Sequence, residues 1–288
     1  MQGRRFSFFF RAMSICGLVA LALAGYKEPV AAQSFLTVHA GPSFDGTNGY
    51  INPSFNEDDG TSRPEASWAL LNNSGTAAWA SDFVPLTVNS YALRFNPPTG
   101  APVRLADLAG PPITPTSVPL AINASGAIVG QSRDANGHGR PVRWNAGSST
   151  PTVLSPLEHH IILGPPEGQA NDINDNQVAV GWSGKTHPVL LSDVGDRAVR
   201  WDSSGTAFEL GNISSYTVGS GAESYTVATS EAYAINNAGM AVGYGTSYDA
   251  SGMSRGNRAV RWNAAGAATE LGHLGTGISS LTNSAAWA

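Results

Sequence analysis

A ten-residue motif with asparagine at its third position occurs four times in this chain, and this repetition constrains the fold more than any other feature. The copies start at residues 70, 121, 172 and 234, so their asparagines are separated by 51, 51 and 62 residues. Self-similarity at such a period is typical of proteins that stack one supersecondary unit, which cannot bury its apolar face alone. The defining residues are the asparagines Asn72, Asn123, Asn174 and Asn236 and the closing glycines Gly130, Gly181 and Gly243.

Two further motifs follow the asparagines in a fixed order. The second motif is an apolar residue, an arginine and an aromatic residue, and it occurs as Leu93-Arg94-Phe95, Val142-Arg143-Trp144, Val199-Arg200-Trp201 and Val260-Arg261-Trp262. The third motif is an acidic residue followed by leucine, at 107–108, 209–210 and 270–271, and the second copy has Val153-Leu154 without the acid. This recurring order indicates a module of about 51 residues.

The first motif predicts a tight β-hairpin. In residues 236–239 the asparagine stands at the first turn position and Gly239 at the fourth, which suits a type I turn completed by a residue with positive φ. An asparagine side chain holds such a turn by hydrogen bonding to the nearby backbone, so we interpret the four asparagines as turn formers rather than catalysts. In the third copy Gln177 replaces the glycine, and Asn176 is expected to shift that turn by one residue.

The second and third motifs predict another hairpin, with residues 202–205 as its turn. If Ser203 and Ser204 form the tip, Arg200 lies opposite Ala207 and shares a face with Glu209. The other face then carries the apolar side chains of Val199, Trp201, Phe208 and Leu210. The same pairing in the fourth copy groups Val260, Trp262 and Leu271, with Arg261 diagonal to Glu270.

The aromatic and basic residues of this hairpin have structural interpretations. We interpret the tryptophans Trp144, Trp201 and Trp262 as core anchors, with an aromatic ligand platform as the alternative. The adjacent arginines are expected to pair with nearby carboxylates rather than to bind substrate; these residues are Arg143, Arg200 and Arg261, with Glu209 and Glu270 as the acids.

Two hairpins per module give four strands in about 51 residues, which is the size of one propeller blade. We therefore predict an all-β, β-propeller-like array of about four four-stranded blades, complete or incomplete, after an N-terminal signal helix. The repeat domain spans 65–288, with copies at about 65–110, 116–158, 167–213 and 229–275 and the start of a fifth at 284–288. The extra residues near 214–230 are expected to form an elongated loop. A β-helical solenoid and a pair of sandwiches are the alternative folds.

The motif order, together with residues 270–276 (ELGHLGT), resembles the bacterial HAF-type extracellular repeats. That family is named for a His-Ala-Phe triplet, which corresponds here to Arg197-Ala198-Val199 and Arg258-Ala259-Val260, with Arg140-Pro141-Val142 more remote. The naming residues are therefore not preserved. The resemblance covers about residues 65–288. It implies an exported, propeller-like repeat protein without an established reaction.

Residues 1–32 have the pattern of a secretory signal peptide. Arg4, Arg5 and Arg11 precede an apolar run at 13–24, which is shorter than the ~20 residues that span a bilayer as a helix. Cleavage is expected after Ala32, with Ala24 as the second candidate. Residues 33–64 are interpreted as a lead segment with a closing strand and a loop.

Removal of the signal peptide leaves a cysteine-free chain, because Cys16 is the only cysteine. The mature chain has 12 basic and 20 acidic residues, a net charge of −8, and no further apolar run long enough to cross a membrane. A negative net charge disfavours nucleic acid and anionic lipid as partners. The expected location is the cell exterior or the cell envelope.

Motifs for the common hydrolytic and thiol chemistries are missing from the sequence: it contains no GxSxG, no HExxH and no paired CxxC. No catalytic residue and no cofactor is predicted. Candidate metal ligands are Glu57, Asp58 and Asp59, for which a solvated loop is the default. Residues 172–176 begin like the calcium-binding loop of an EF-hand. However, Gln177 stands where that loop requires glycine, and Ser183 stands where it requires an acidic residue. A metal pair at His159 and His160 is not expected, because neighbouring residues on a strand point to opposite faces.

Three functions remain open from the sequence. The preferred one is a binding or interaction module at the cell surface or exterior, with an unknown protein or glycan as its ligand. The others are a glycan-active hydrolase or lyase on a propeller scaffold and a structural or adhesive spacer. Residues 284–288 either complete a ring with the N-terminal segment or lead into further repeats of a longer parent chain.

Overall fold

A computed structural model describes residues 70–83, 89–97, 101–109, 116–158, 165–187, 193–221, 224–272 and 284–286. All of them belong to one structural unit, Val38–Ala288. In these ranges we find no helix that is long and apolar enough to cross a bilayer. The predicted signal peptide at 1–32, the lead segment at 33–64, the candidate metal ligands Glu57, Asp58 and Asp59, and the pair His159 and His160 lie outside the described residues.

Four antiparallel sheets of four strands follow one another along the chain, and in each sheet the spatial order of the strands is their sequence order. Sheet 1 contains β1 (Leu70–Leu71), β2 (Ala77–Phe83), β3 (Asn89–Phe95) and β4 (Val103–Arg104). Sheet 2 contains β5 (Ser117–Ile122), β6 (Ile128–Arg133), β7 (Gly139–Trp144) and β8 (Pro151–Val153). Sheet 3 contains β9 (Gly168–Ile173), β10 (Ala179–Thr186), β11 (Asp193–Trp201) and β12 (Ala207–Glu209).

After sheet 3 comes a two-stranded hairpin of β13 (Tyr216–Val218) and β14 (Tyr225–Val227). Sheet 4 then contains β15 (Ser230–Ile235), β16 (Ala241–Tyr248), β17 (Ser254–Trp262) and β18 (Ala268–Glu270). The predicted all-β class is confirmed, and the sheets are consistent with a propeller-like array, although no sheet of the described residues is closed. The expectation of a loop near 214–230 is wrong in detail, because six of these residues pair as the β13–β14 hairpin.

The hairpin turns share one geometry, in which the first residue is asparagine or aspartate. In the turn that joins β15 to β16, the amide of Gly239 donates to the carbonyl of Asn236 and the amide of Asn236 donates to the carbonyl of Met240. Gly239 has a φ of 78°, so the turn is type I followed by a bulge residue in the left-handed region. The same arrangement closes the β11–β12 turn, where Gly205 has a φ of 86°.

The third copy keeps this turn without a glycine, and the expected one-residue shift is wrong. The amide of Gln177 donates to the carbonyl of Asn174, at the position of Gly239 in the fourth copy. Gln177 itself adopts a φ of 63°. This is a left-handed conformation that residues with a side chain, apart from asparagine and aspartate, seldom adopt. The repeat therefore maintains its register by straining one residue rather than by moving the turn.

The register predicted for the second hairpin is also wrong, by one residue. Arg200 pairs with Phe208 and Val199 pairs with Glu209, because the bulge residue Gly205 lengthens the loop. A one-residue slip moves every side chain of a strand to the other face. Phe208 is therefore 45% exposed beside Arg200 instead of buried beside Trp201. In the fourth copy Val260 pairs with Glu270, and Leu271 is 51% exposed rather than packed with Trp262.

Successive sheets pack through apolar clusters that draw residues from both members of each pair. Trp144, Trp201 and Trp262 are fully buried, and each indole N–H donates to a carbonyl of the preceding sheet's segment. For Trp201 the acceptor is the carbonyl of Ser155, at 2.7 Å. Because a buried indole N–H needs a partner, this bond fixes the ring at the interface between the sheets.

Candidate functional site

The strand order separates the connecting segments into two ends. In an antiparallel meander, the turn after the first strand and the turn after the third strand lie at one end, here called the turn end. The segment between the second and third strands and the connection to the next sheet lie at the other, here called the loop end. The turn end carries the repeated asparagine and aspartate turns. The loop end carries segments that differ from copy to copy, the β13–β14 hairpin among them.

An asparagine ladder joins the sheets at the turn end. The Nδ2 atoms of Asn72, Asn123 and Asn174 each donate to the carbonyl of the asparagine one copy later, at 3.0 Å in all three cases. The Oδ1 atoms of all four asparagines accept the amide four residues on, as from Met240 to Asn236 at 3.0 Å. Each asparagine therefore closes its own turn and ties it to the next one.

Asn174→Asp is expected to lower the free energy of unfolding by about 2 kcal/mol, because a carboxylate oxygen would face the carbonyl of Asn236 in place of the amide donor. The Oδ1 contact to the amide of Val178 is retained in this variant. Asn236→Asp is the matched control, since Asn236 is exposed. It should cost less than about 0.5 kcal/mol. Urea unfolding followed by tryptophan fluorescence gives both values, and equal losses would contradict an energetic role for the ladder.

A second arginine, four residues before each of the three tryptophans, was not recognised from sequence. Arg140, Arg197 and Arg258 are 5%, 3% and 7% exposed. Nε of Arg197 lies 3.1 Å from Oε1 of Glu209, and Nε of Arg258 lies 3.6 Å from Oε1 of Glu270. The sequence signal was available, because these arginines occupy the first position of the triplets compared with His-Ala-Phe.

Sheets 1 and 2 replace this ion pair with other contacts. Sheet 2 has Val153 in place of the glutamate, and Arg140 instead contacts Oδ2 of Asp134 at 2.6 Å. Arg140 also donates to the carbonyls of Pro165 and Pro166, at the start of the segment that enters sheet 3. In sheet 1 the positions of arginine and glutamate hold Tyr91 and Arg104, with the guanidinium 3.8 Å from the ring centroid. An arginine–glutamate ion pair therefore occupies this position in sheets 3 and 4, whereas sheets 1 and 2 each use a different pair.

The arginines of the second motif do not pair with the third-motif acids, so that expectation is wrong for Arg200 and Glu209. Arg200 donates to the carbonyl of Ala264, and Nη2 of Arg143 donates to the carbonyl of Ser203 at 2.9 Å. Both acceptors lie in the turn between the third and fourth strands of the following sheet, at the turn end. Arg261, the corresponding residue of sheet 4, is exposed and pairs across the strands with Thr269, not Glu270. Arg143 and Arg200 therefore link neighbouring sheets.

At the loop end, a tyrosine cluster is formed by His187, Tyr216, Tyr225 and Tyr248. Tyr216 and Tyr225 lie on the same face of the β13–β14 hairpin, since Tyr225 pairs with Val218, two residues after Tyr216. The rings of Tyr216 and Tyr248 are 4.9 Å apart, and those of His187 and Tyr225 are 5.4 Å apart. The hairpin thus contacts the loop end of sheet 3 on one side and that of sheet 4 on the other.

Charged groups lie on the strands and turns next to this cluster in sequence. Lys185 bridges Glu209 at 2.8 Å and Glu158 at 3.6 Å. Burial, followed by repulsion from Asp193, raises the pKa of Asp196. Hydrogen bonds from Ser251 and from the amide of Met253 lower the pKa of Asp249 to about 2. The loop end therefore combines aromatic rings with charged side chains of both signs.

The described ranges bring together no group of three histidine, cysteine, aspartate or glutamate side chains that could hold a metal ion. The calcium-like pattern at 172–176 has another use. The carboxylate of Asp172 accepts the amides of Ile173 at 2.8 Å and Ile235 at 2.7 Å. Asn174 belongs to the ladder, and Nδ2 of Asn176 donates to the carbonyl of Asn237. These side chains join sheet 3 to sheet 4.

The chain is expected to become less stable as the pH rises from about 4 towards 7, because the buried carboxyl group of Asp172 ionises in this range. Burial raises the pKa of Asp172 in the folded chain, ahead of the opposing effect of its two amide donors. A folded-state pKa above the unfolded one contributes stability that is complete below the unfolded pKa and is lost as the pH rises through the folded one. Unfolding midpoints between about pH 3 and 7 should therefore fall more steeply in the parent than in Asp172→Asn.

Asp175 provides the control for this measurement. Hydrogen bonds from the amide of Ala124 and from Asn237 lower the pKa of Asp175. Its contribution has the opposite sign, being present above the ordinary aspartate pKa and lost as the pH falls. Asp175→Asn should therefore change the profile only at the acidic end. Identical profiles for the Asp172→Asn variant and the parent would contradict the assignment.

Comparison with solved structures shows that the chain has a distant structural similarity to a known protein. Among solved structures, the chain is similar to a puromycin-hydrolysing peptidase of Mycobacterium tuberculosis, with 15% sequence identity and a TM-score of 0.46. The aligned region covers 75% of this chain and 29% of the peptidase, so the chain spans less than a third of that protein. No family model matches the chain, and no curated protein matches it either. A similarity of this extent says nothing about activity.

Proposed function

We propose that this chain is an exported binding or interaction module that holds its ligand, a protein or a glycan, at the loop end. The observation that carries the proposal is the asymmetry between the two ends. The turn end repeats one hydrogen-bonded frame with an identical 3.0 Å ladder contact between copies. The loop end varies from copy to copy, and binding residues are disproportionately found on loops that a rigid scaffold positions.

The tyrosine cluster is the proposed contact region within the loop end. Tyrosine offers a large apolar ring and a polar hydroxyl at a low entropy cost, which is why it is enriched at recognition surfaces. Tyr216, Tyr225 and Tyr248 are all partly exposed. Next to them in sequence, Lys185 is ion-paired with Glu209 and Asp249 with Arg255, and these ion pairs can orient a polar ligand.

The test is a binding screen of the purified chain from residue 33 onwards on an array of immobilised glycans, with Tyr225→Ser and Tyr216→Ser as variants. We expect at least one glycan to be retained, and each substitution to weaken retention about tenfold, the effect of a hot-spot tyrosine. Phe208→Ser is the matched control, because Phe208 is an exposed aromatic residue near the turn end. Equal losses for all three variants, or retention that no loop-end substitution changes, would refute this location.

Export is the second part of the proposal, and it is supported by the basic residues and short apolar run of the N-terminus and by the resemblance to HAF-type repeats. Expression of the full chain in a bacterium should yield an exported form that begins at Gln33, or at Gly25 for the second cleavage candidate. N-terminal sequencing of the fraction outside the cytoplasm checks this expectation. Recovery of the chain with an intact N-terminus in the cytoplasm would contradict it.

A further inference from the structure

The three interfaces between successive sheets use one set of contacts. The residue after each buried leucine, namely Ala106, Ser155 and Gly211, accepts the indole N–H of the next sheet's tryptophan. The amide of the same residue donates to a carbonyl in the next sheet's turn, at 2.8 to 2.9 Å. The leucines before them, Leu105, Leu154 and Leu210, are at most 2% exposed. Each sheet therefore presents a leucine, a donor and an acceptor to the sheet that follows.

Sheet 4 presents the same groups to solvent. Leu271, which corresponds to Leu210, is 51% exposed. Gly272 follows it at the position of Gly211 and is also exposed. Asn236 is exposed, whereas Asn123 and Asn174, whose amides contact the following copy, are 4% and 5% exposed. The outer face of sheet 4 thus has the composition of an interface that elsewhere in the described ranges is covered.

Residues 284–286 already occupy one edge of this face. Oγ of Ser284 accepts the amide of Ala259 at 2.9 Å. Ser117 and Ser230, which begin β5 and β15, accept the amides of Ala92 and Ala198 at 3.0 Å in the same way. The sequence agrees with this placement, since 284–288 (SAAWA) aligns with 230–234 (SEAYA). Ser284 is therefore bound where the first strand of a following sheet begins.

We propose that the outer face of sheet 4 is a docking surface for one further sheet of the same repeat type, whose first strand starts at Ser284. Its tryptophan would donate to the carbonyl of Gly272, its turn would cover Leu271, and its asparagine carbonyl would accept Nδ2 of Asn236. Sheet 1 of a second copy of this chain fits the face less well. It carries Phe95 at the tryptophan position, and phenylalanine has no N–H to donate.

The experiment appends a second copy of residues 235–272 directly after Ala288, which continues the strand that starts at Ser284 in the register of sheet 4. If the proposal is correct, the extended chain should unfold about 5 °C or more above the parent, since each added interface stabilises a repeat array. Hydrogen exchange at the amides of Trp262 and Leu271 should slow about tenfold. An unchanged midpoint together with unchanged exchange would overturn the proposal.

Two matched variants separate docking from a general effect of added length. Trp262→Phe in the appended copy only removes the donor for Gly272, and Ser284→Ala removes the acceptor for Ala259. Each should lose a clear part of the gain in midpoint, and the gain for Ser284→Ala is measured against the same substitution in the unextended chain, because that chain already makes the Ser284 contact. A full gain in both variants would overturn the proposal. Concentration-dependent dimers of the parent in sedimentation, abolished by the appended repeat, would instead identify a second copy as the occupant and overturn the assignment made here.

Discussion

Gly181→Ala is expected to reduce the free energy of unfolding by about 3 kcal/mol or more. Gly181 lies in β10 beside a bulge in β9, where the pairing jumps from Val180↔Asp172 to Gly181↔Ala170. A methyl group at Gly181 would overlap the carbonyl oxygen of Gln169 and lie 3.0 Å from Cα of Ala170. Because both contacts are backbone atoms, no side chain can move aside, and the bulge itself must shift.

Gly184→Ala in the same strand is the control for this substitution. The nearest atom to its added methyl would be Cβ of Pro166 at 3.3 Å, which requires a much smaller shift than the overlap at Gly181. Its cost should stay below about 1 kcal/mol. Gly130 and Gly243 face the carbonyls of Val118 and Glu231 in the same way and should behave like Gly181. Urea unfolding of the four variants measures the difference, and a Gly181→Ala chain as stable as the Gly184→Ala chain would contradict the assignment.

Trp201→Ala is expected to cost about 4 kcal/mol, the typical loss for a large aromatic side chain removed from a core. Trp201 is fully buried in the cluster between sheets 2 and 3, and its indole donates to the carbonyl of Ser155 at 2.7 Å. Trp201→Phe retains most of the apolar contact but leaves that carbonyl without its indole donor. It should cost about 1 to 3 kcal/mol.

Phe208→Ala is the control for the tryptophan series, because Phe208 is 45% exposed in the neighbouring strand. Its effect should stay within about 0.5 kcal/mol. Circular dichroism during urea unfolding suits this comparison, since the tryptophan variants also change the fluorescence. A Trp201→Ala loss no larger than that of Phe208→Ala would mean that the sheets do not pack through this residue.

The repeat, the strand-rich class and the four-stranded sheets could be predicted from sequence because they depend on local signals. Asparagine followed three residues later by glycine specifies a turn wherever it stands, and the spacing of two such turns fixes four strands. The register of the second hairpin could not be fixed in the same way. Residues 202–205 are compatible with a two-residue tip and with a bulged loop, and the two differ by one residue in every pairing.

This one-residue difference in register explains the errors in the predicted contacts of the hairpin. With the bulge at Gly205, Glu209 moves to the face of Val199 and meets Arg197, while Phe208 moves to the face of Arg200. The third copy shows the opposite case. Gln177 replaces the glycine that predicts the turn, and the turn forms nevertheless. There the tertiary contacts of the ladder outweigh the local preference of the residue.

The candidate binding region depended on long-range convergence and was not predictable. His187, Tyr216 and Tyr248 are far apart in sequence, and each one alone is an ordinary polar aromatic residue of a loop. Only the stacking of sheets 3 and 4 brings the β13–β14 hairpin between their loop ends. From the sequence alone, the segment could be identified as an insertion, because the spacing between the repeated motifs shows it directly.

The ladder contact from Asn174 to Asn236 measures 3.0 Å, the same as the other two, although the third interval is 11 residues longer than those before it. The 11 additional residues are accommodated at the end of the sheets opposite the ladder. Segments of different length and chemistry can therefore be exchanged there without disturbing the spacing of the stack. This makes the protein a scaffold for grafting recognition peptides, with residues 214–227 as the insertion site.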